Sequence, residues 1–217
     1  MTISTEDLLN SILSSLDRIA YIKAEDIPNI DLYMDQVTTF MESRLKKSTR
    51  NPGEDKILTK TMINNYAKND LLPPPVKKKY SKEHVMLLVF IYYYKGILSI
   101  SDIQALLEPI TKNFFDTDED FDLEKIYETV FGLEQEQTKA LKNDVKEKFQ
   151  ISEETFKDAP EESREFLQTF SFICMLSFDV YVKKLLIEKM IDGMQERNTD
   201  GKISKEKQPK EKQAKGK

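Results

Sequence analysis

Three consecutive prolines, Pro73, Pro74 and Pro75, stand behind Leu71-Leu72 and ahead of Lys77-Lys78-Lys79. No helix runs through them, because each lacks an amide donor and disfavours helical geometry in the residue before it. The chain must leave Leu72 along a rigid, extended path. What precedes the prolines has the pattern of a short polar helix over residues 59–69. Thr59 can cap it, its hydroxyl accepting an orphan amide of the first turn. Ile63 and Tyr66 fall on one face, leaving Lys60, Thr61, Asn64, Asn65 and Lys68 to face outward. A helix presenting amides and lysines, followed by a stiff basic strap at 76–79, suits a DNA groove and its flanking phosphates. A DNA-binding element is the expectation.

The charge distribution supports this better than the total does. The chain carries a formal net charge of −5, yet residues 44–82 hold 11 Lys and Arg against 3 Asp and Glu. Residues 83–197 reverse the balance, with 13 basic against 24 acidic side chains. Phosphate contacts need such a local concentration of positive charge, and an acidic body discourages binding elsewhere on the surface. The plainer alternative is a solvated basic loop.

With 217 residues, 39% of them hydrophobic, the chain can build one good core or two small ones. Its single cysteine, Cys174, excludes an intramolecular disulfide and a cysteine-based zinc site, and an inert buried thiol is expected there. Glu6, Asp7 and Asp17 interrupt what would be the apolar region of a signal peptide, so a cytoplasmic protein is expected. The most apolar stretch, Phe166 to Ile187, carries Gln168, Thr169, Asp179, Lys183 and Lys184, which suits a buried core helix better than a membrane span.

Periodicity lays out an all-α chain with at most a small two-stranded β wing. An amphipathic helix over 5–22, capped at Ser4, belongs to an N-terminal segment, 1–28. A second helix over 31–45 turns Leu32, Met34, Val37, Phe40, Met41 and Leu45 inward. The loop 46–56 contains Asn51-Pro52-Gly53, a turn signal. Ser81 caps a helix that runs to Lys95 and stops at Gly96, and Ser99 or Ser101 opens the next. Residues 116–122 are an acidic loop, followed by two longer helices over 122–148 and 161–195. From 198 to 217 the composition is that of a disordered, lysine-rich tail.

The segment Leu58–Leu107 resembles the N-terminal DNA-binding unit of the MerR-type winged-helix regulators. Carrying the resemblance are Asn64-Asn65-Tyr66, Leu71-Leu72-Pro73-Pro74-Pro75, Tyr80-Ser81, Phe90-Ile91, Gly96-Ile97-Leu98-Ser99 and Ile103-Gln104-Ala105-Leu106-Leu107, in order and at matching spacing. With Asp31-Leu32-Tyr33-Met34-Asp35-Gln36-Val37 upstream, the chain also resembles an uncharacterised bacterial family, domain of unknown function 1836. The resemblance implies a winged helix-turn-helix over 29–115, followed by a helical dimerisation or effector region over 116–197. It makes 59–69 the recognition helix, puts Tyr66 where a hydroxyl meets a phosphate, and places Lys77, Lys78 and Lys79 in the wing. Between Pro75 and Tyr80 only four residues remain for that wing, without the usual glycine, and the recognition helix lacks the family's frequent arginine.

The candidate DNA-binding residues are therefore Lys60, Thr61, Asn64, Asn65, Tyr66, Lys68, Lys77, Lys78 and Lys79. Tyr66 is either a phosphate contact or an aromatic packed against Leu71. The lysines suit phosphates better than bases, whereas Asn64 and Asn65 could read adenine edges. His84, the only histidine, has no partner for metal or general-base duty. Asp116, Asp118, Asp120 and Asp122 alternate like a calcium loop. Phe121 and Tyr127, however, stand where that loop needs Gly and Glu, so the carboxylates are expected to charge the following helix start instead.

No nucleophile–base pair and no Gly-rich phosphate loop occurs; neither catalysis, a metal nor a cofactor is expected. The 161–195 helix is apolar almost all round and must be enclosed, either by helices 5–22 and 122–148 or by a second subunit. A homodimer is favoured, since DNA half-sites come in two-fold pairs. An effector pocket lined by Phe, Met and Tyr is the rival to plain core packing. The expected function is a sequence-specific, duplex-DNA-binding transcriptional regulator. The alternative is a non-catalytic protein-interaction module on a winged-helix-like fold that has lost DNA binding.

Overall fold

The computed structural model describes residues 5–16, 22–51 and 54–206. It is all-α with one small antiparallel sheet. In chain order the elements are α1 (Thr5–Leu16), β1 (Leu32–Tyr33), α2 (Met34–Leu45), α3 (Lys60–Lys68), β2 (Lys79–Tyr80), α4 (Lys82–Tyr94), α5 (Ile100–Phe114), α6 (Leu123–Phe131), α7 (Glu134–Glu153) and α8 (Glu161–Glu206). Of the first helix expected from the sequence, Thr5–Leu16 is described; the rest of that stretch, 17–21, lies outside the described residues, as does the expected cap Ser4.

The main core is organised around α4. From His84 to Ile91 every residue of that helix is buried, so neighbours must cover it on all sides. Val37, Met41 and Leu45 of α2, Ile63 and Tyr66 of α3, Ile103 and Leu107 of α5, and Leu123 and Tyr127 of α6 do so. Leu71 and Leu72, each about 1% exposed, anchor the chain just ahead of the prolines.

A smaller second core joins α1, α7 and α8 through Val145, Phe149 and Phe172, with Leu9, Leu13, Met175 and Leu176 packed on it. Lys148 binds these helices further, pairing with Asp144 on its own helix and with Asp179 of α8 at 2.8 Å. Those hydrogen bonds raise the lysine above its ordinary pKa and hold Asp179 below its own.

Several features depart from the sequence expectation, beginning with the second helix, which starts at Met34 because Leu32 and Tyr33 pair as strand β1. The helix expected over 122–148 is two helices, broken at Gly132-Leu133. A side chain at Gly132 would bring its Cβ within 2.9 Å of the Glu128 carbonyl oxygen. The first of the two pieces, α6, also belongs to the main core, which therefore extends past residue 115. Tyr127 is fully buried there, and its hydroxyl donates to the carbonyl of Ile22 at 2.5 Å, tying α6 to the start of the core.

A further departure concerns enclosure. The helix sheathed on every side is α4, not α8. Along α8, Phe172, Ile187 and Ile191 face the two cores, while Phe166, Phe170, Ile173, Phe178, Val180 and Tyr181 are exposed. Cys174 is exposed rather than buried. The backbone of α8 is helical through Glu206, beyond Arg197, where the lysine-rich tail was expected to begin in disorder; residues 207–217 lie outside the described residues. Among the described residues no helix is long and apolar enough to cross a membrane.

The Tyr127 hydroxyl is the sharpest test of the main core. Tyr127→Phe removes the donor and leaves the Ile22 carbonyl buried without a partner, at a cost of about 1–3 kcal/mol. Urea denaturation followed by circular dichroism should show the unfolding free energy fall by that amount.

Candidate nucleic-acid interface

Helix α3 forms where the sequence places it, for the expected reasons. Thr59 caps it, its hydroxyl accepting the Met62 amide at 3.2 Å. At the other end Asp70 takes a left-handed φ of 55°. The Leu71 amide reaches back to the Tyr66 carbonyl at 2.9 Å and the Asp70 amide to that of Ala67 at 3.4 Å. This is a Schellman stop, a helix end in which a left-handed residue lets two later amides fold back onto the last turn. It turns Leu71 and Leu72 straight into the core. The prolines then carry the chain away.

Successive residues of a helix are about 100° apart, so Lys60, Thr61, Asn64, Asn65 and Lys68 share one arc of about 140°. All five are exposed. The opposite side, Ile63 and Tyr66, is buried. Tyr66 is therefore placed differently from the other predicted contacts: its ring is a core element, only 6% exposed, and burial raises its phenol above the ordinary value. Of the two roles open to it in the sequence, packing is the one its position serves.

The basic strap closes into a two-residue turn. The Lys79 amide donates to the Val76 carbonyl at 2.9 Å, and Lys77 and Lys78 between them have φ of 50° and 65°. Positive φ at both central positions is the signature of a type I′ hairpin turn, a conformation that favours Asn-Gly. A lysine held there costs roughly 1 kcal/mol or more. Beyond the turn, β2 pairs with β1 in the register Leu32↔Tyr80 and Tyr33↔Lys79. Lys77 and Lys78 are exposed at the tip. Lys79 is half-buried, its ammonium 5.3 Å from the centre of the Tyr33 ring, a cation–π contact.

The first turn of α2 joins the two basic elements. Tyr33, its N-cap, lies under Lys79, and Asp35 pairs with Lys60 at the start of α3. The Tyr33 amide donates to Gln36 Oε1 at 2.8 Å, which holds this turn in place. Lys60 and Asp35 are both largely exposed, so their ion pair adds little rigidity. The face as a whole presents Lys60, Thr61, Asn64, Asn65 and Lys68 from one element and Lys77 and Lys78 from the other. Sequence reasoning missed Tyr33: the strand pairing that brings it to Lys79 spans 46 positions and leaves no local signal.

A cleft of about 1010 Å³ lies on another side of the main core, where the 46–58 loop, the end of α4, α7 and α8 meet. Tyr92, Tyr93, Lys95, Leu141 and Lys183 line it. The Lys95 ammonium donates to the Ile57 carbonyl at 2.7 Å and lies over Tyr92, and burial lowers its pKa. Among the described residues, no group of His, Cys, Asp and Glu is arranged to hold a metal ion.

The lysine turn can be tested for strain directly. Replacing Lys77-Lys78 with Asn-Gly supplies the residues that a type I′ turn favours, and should stabilise the protein by about 1 kcal/mol or more. Urea denaturation of the double variant against the parent protein measures it, and an unchanged midpoint would mean that the lysines carry no strain.

No curated protein and no solved structure matches the chain. A family model does match, over residues 22–130. That span begins at Ile22, the first residue of the main core, and ends one residue before Phe131, the last residue of α6 and a side chain packed on the same core. It thus takes in both basic elements and the helices that hold them, and covers about half of the chain. The chain belongs to the family described as Domain of unknown function (DUF1836).

Proposed function

We propose that this protein is a transcriptional regulator that binds duplex DNA through residues 29–115. Helix α3 would enter the major groove, with the 77–78 turn as a wing on neighbouring phosphates. The observation that carries this reading is the shared mounting of the two elements. An exposed amide- and lysine-bearing helix and a lysine-tipped turn both lie beside the first turn of α2. Helix α3, the Leu-Leu-Pro-Pro-Pro run, the lysine turn and the helix opened at Ser81 follow in the order of the MerR-type unit that the sequence resembles.

Strain supports the reading from an independent direction. Lysines occupy a turn that another pair of residues would favour, and such outliers concentrate at functional positions. Asn64 and Asn65 are the residues suited to reading bases, by bidentate bonds to adenine. The lysines serve phosphates.

Changing Lys77, Lys78 and Lys79 to Ala should weaken binding on all duplex sequences. It should also flatten the salt dependence, by about one unit of log–log slope for each phosphate that is no longer neutralised. Asn64→Ala with Asn65→Ala should instead relax sequence preference. The measurement is binding to random genomic fragments at several salt concentrations, with bound fragments sequenced. The full chain is compared with one ending at Arg197, since the lysine-rich tail alone can retain DNA. Unchanged affinity and slope in the triple-lysine variant would refute the site. No retention even at low salt would favour the rival, a protein-interaction module, which the acidic body and the Lys60–Asp35 pair suit.

The same reading includes a homodimer through α8. Phe166, Phe170, Phe178 and Tyr181 are each more than half exposed, and a buried aromatic covers 150–250 Å², so these four alone offer roughly 400 Å² of apolar surface. With Ile173, Val180 and Leu185 on the same arc, the stripe reaches most of the roughly 800 Å² per partner of a standard interface. Glu161 and Glu162 stand at one end and Lys183 and Lys184 at the other, so a second copy lying antiparallel would meet opposite charges. Phe170→Glu with Tyr181→Glu should give a monomer of unchanged helical content by sedimentation velocity and circular dichroism. A parent protein that is monomeric at tens of micromolar would refute this part.

An effector, in this reading, occupies the cleft beside the 46–58 loop. That loop leads into α3, and Lys95 of the cleft holds its Ile57 carbonyl.

A further inference from the structure

We propose that His84 is a proton-operated latch that holds the lysine-tipped wing in place while the ring is neutral and releases it on protonation. The ring is 3% exposed and touches four separate parts of the main core. It stands edge-on to Tyr80 of β2, with centroids 5.5 Å apart, and to Phe115 after α5, at 4.8 Å. The carbonyls of Pro73 and Pro74 lie beside it. Its own helix supplies the fourth contact: the Ser81 amide donates to His84 Nδ1 at 3.1 Å, and Ser81 Oγ lies 2.8 Å from the same atom.

That amide settles the tautomer. A backbone N–H can only donate, so Nδ1 must keep its lone pair, and the neutral ring carries its hydrogen on Nε2. Nε2 is enclosed and has no hydrogen-bond partner in line, although the proline carbonyls are near. A second proton could enter only at Nδ1, where the Ser81 hydroxyl can turn to accept it, but the Ser81 amide then loses its acceptor and faces a donor beside a buried charge. Protonation thus favours departure of the ring, and with it loss of the cap of α4 at Ser81, the residue that directly follows β2. Loss of that anchor frees Tyr80 and Lys79 and the strained turn they close.

Groups around the ring favour protonation but do not prevail. The Pro73 and Pro74 carbonyls act most strongly in that direction, followed by Asp31, ahead of β1, and Asp116, after α5. Glu83, the neighbour on α4, accepts the Asp116 amide at 2.8 Å and is itself raised by burial, while Lys82 is engaged with Glu124 at 2.5 Å. Burial outweighs these and holds the His84 pKa below its ordinary value. The sign follows: the latch contributes fully above the unfolded histidine value of about 6.5 and is lost as pH falls through the depressed folded value. Within that window the opening equilibrium shifts by up to about tenfold per pH unit, the slope of one proton.

The latch is a property of the wing whether or not the wing meets DNA; only its effect on binding rests on the reading above. The test therefore omits DNA. His84 is the sole histidine, so imidazole NMR on the full-length protein reports it without overlap. Expected between pH 5 and 8 are a hydrogen on Nε2 at the high end and a midpoint below about 6.5. The exchange protection factors of the Lys79, Tyr80 and Ser81 amides should fall as pH drops from about 6.5 towards that midpoint and level off below it. His84→Gln keeps an acceptor for the Ser81 amide without a titrating charge, and should hold protection constant over the range. A midpoint at or above that ordinary value, or wing protection that does not follow the imidazole, would overturn the latch. So would the parent protein's pH dependence persisting in His84→Gln. If that variant fails to fold, the first two readouts on the parent protein still decide.

Discussion

The complete burial of α4 is the constraint from which the rest of the main core follows. Eight successive side chains, His84 to Ile91, are buried. A single helix can be sheathed on all sides only if several others pack around it, and here α2, α3, α5 and α6 supply the cover. Each gives up one face to α4, and each keeps the other for solvent. For α3 that division is sharp, because Ile63 and Tyr66 are the only fully buried residues in a nine-residue helix. Its amides and lysines are exposed because the apolar pair is fully committed inside.

The same constraint explains how the turn lysines are held. A two-residue strand pair is too short to be stable alone. β2 persists because Tyr80 is buried in the core and Ser81 opens α4, while β1 is continuous with α2. The strain at Lys77 and Lys78 is thus borne by residues on either side of the turn, where packing and hydrogen bonding over-determine the backbone. The lone histidine sits among those supporting residues.

Much of the site was legible beforehand. The Thr59 cap, the 60–68 helix, its outward face and the extended exit along the prolines are local matters of periodicity, capping and missing amides, and each appears where those rules place it. Less legible was anything set by a distant partner. Tyr66 has the same residue type whether it meets phosphate or packs, and only the neighbours of α3 decide that. Gly132 does not by itself announce a break in a helix, since glycine is tolerated in helices. Nor does apolar content say which of two apolar helices is sheathed: α8 is the longer and looks the more buried in sequence, yet α4 occupies the centre.

By itself, the sequence determined the helical class, the element boundaries around α3 and α4, and the concentration of positive charge in residues 44–82. These depend on spacing over a few residues and on composition, which no tertiary contact alters. The tertiary structure alone decided that α6 joins the main core, that Tyr33 lies beneath Lys79, and that α8 leaves a broad apolar stripe exposed. It alone put His84 between the wing, the prolines and Phe115. Each of these is a contact between residues far apart in the chain. Such contacts are chosen by how whole helix faces fit together, a competition that no short stretch of sequence records.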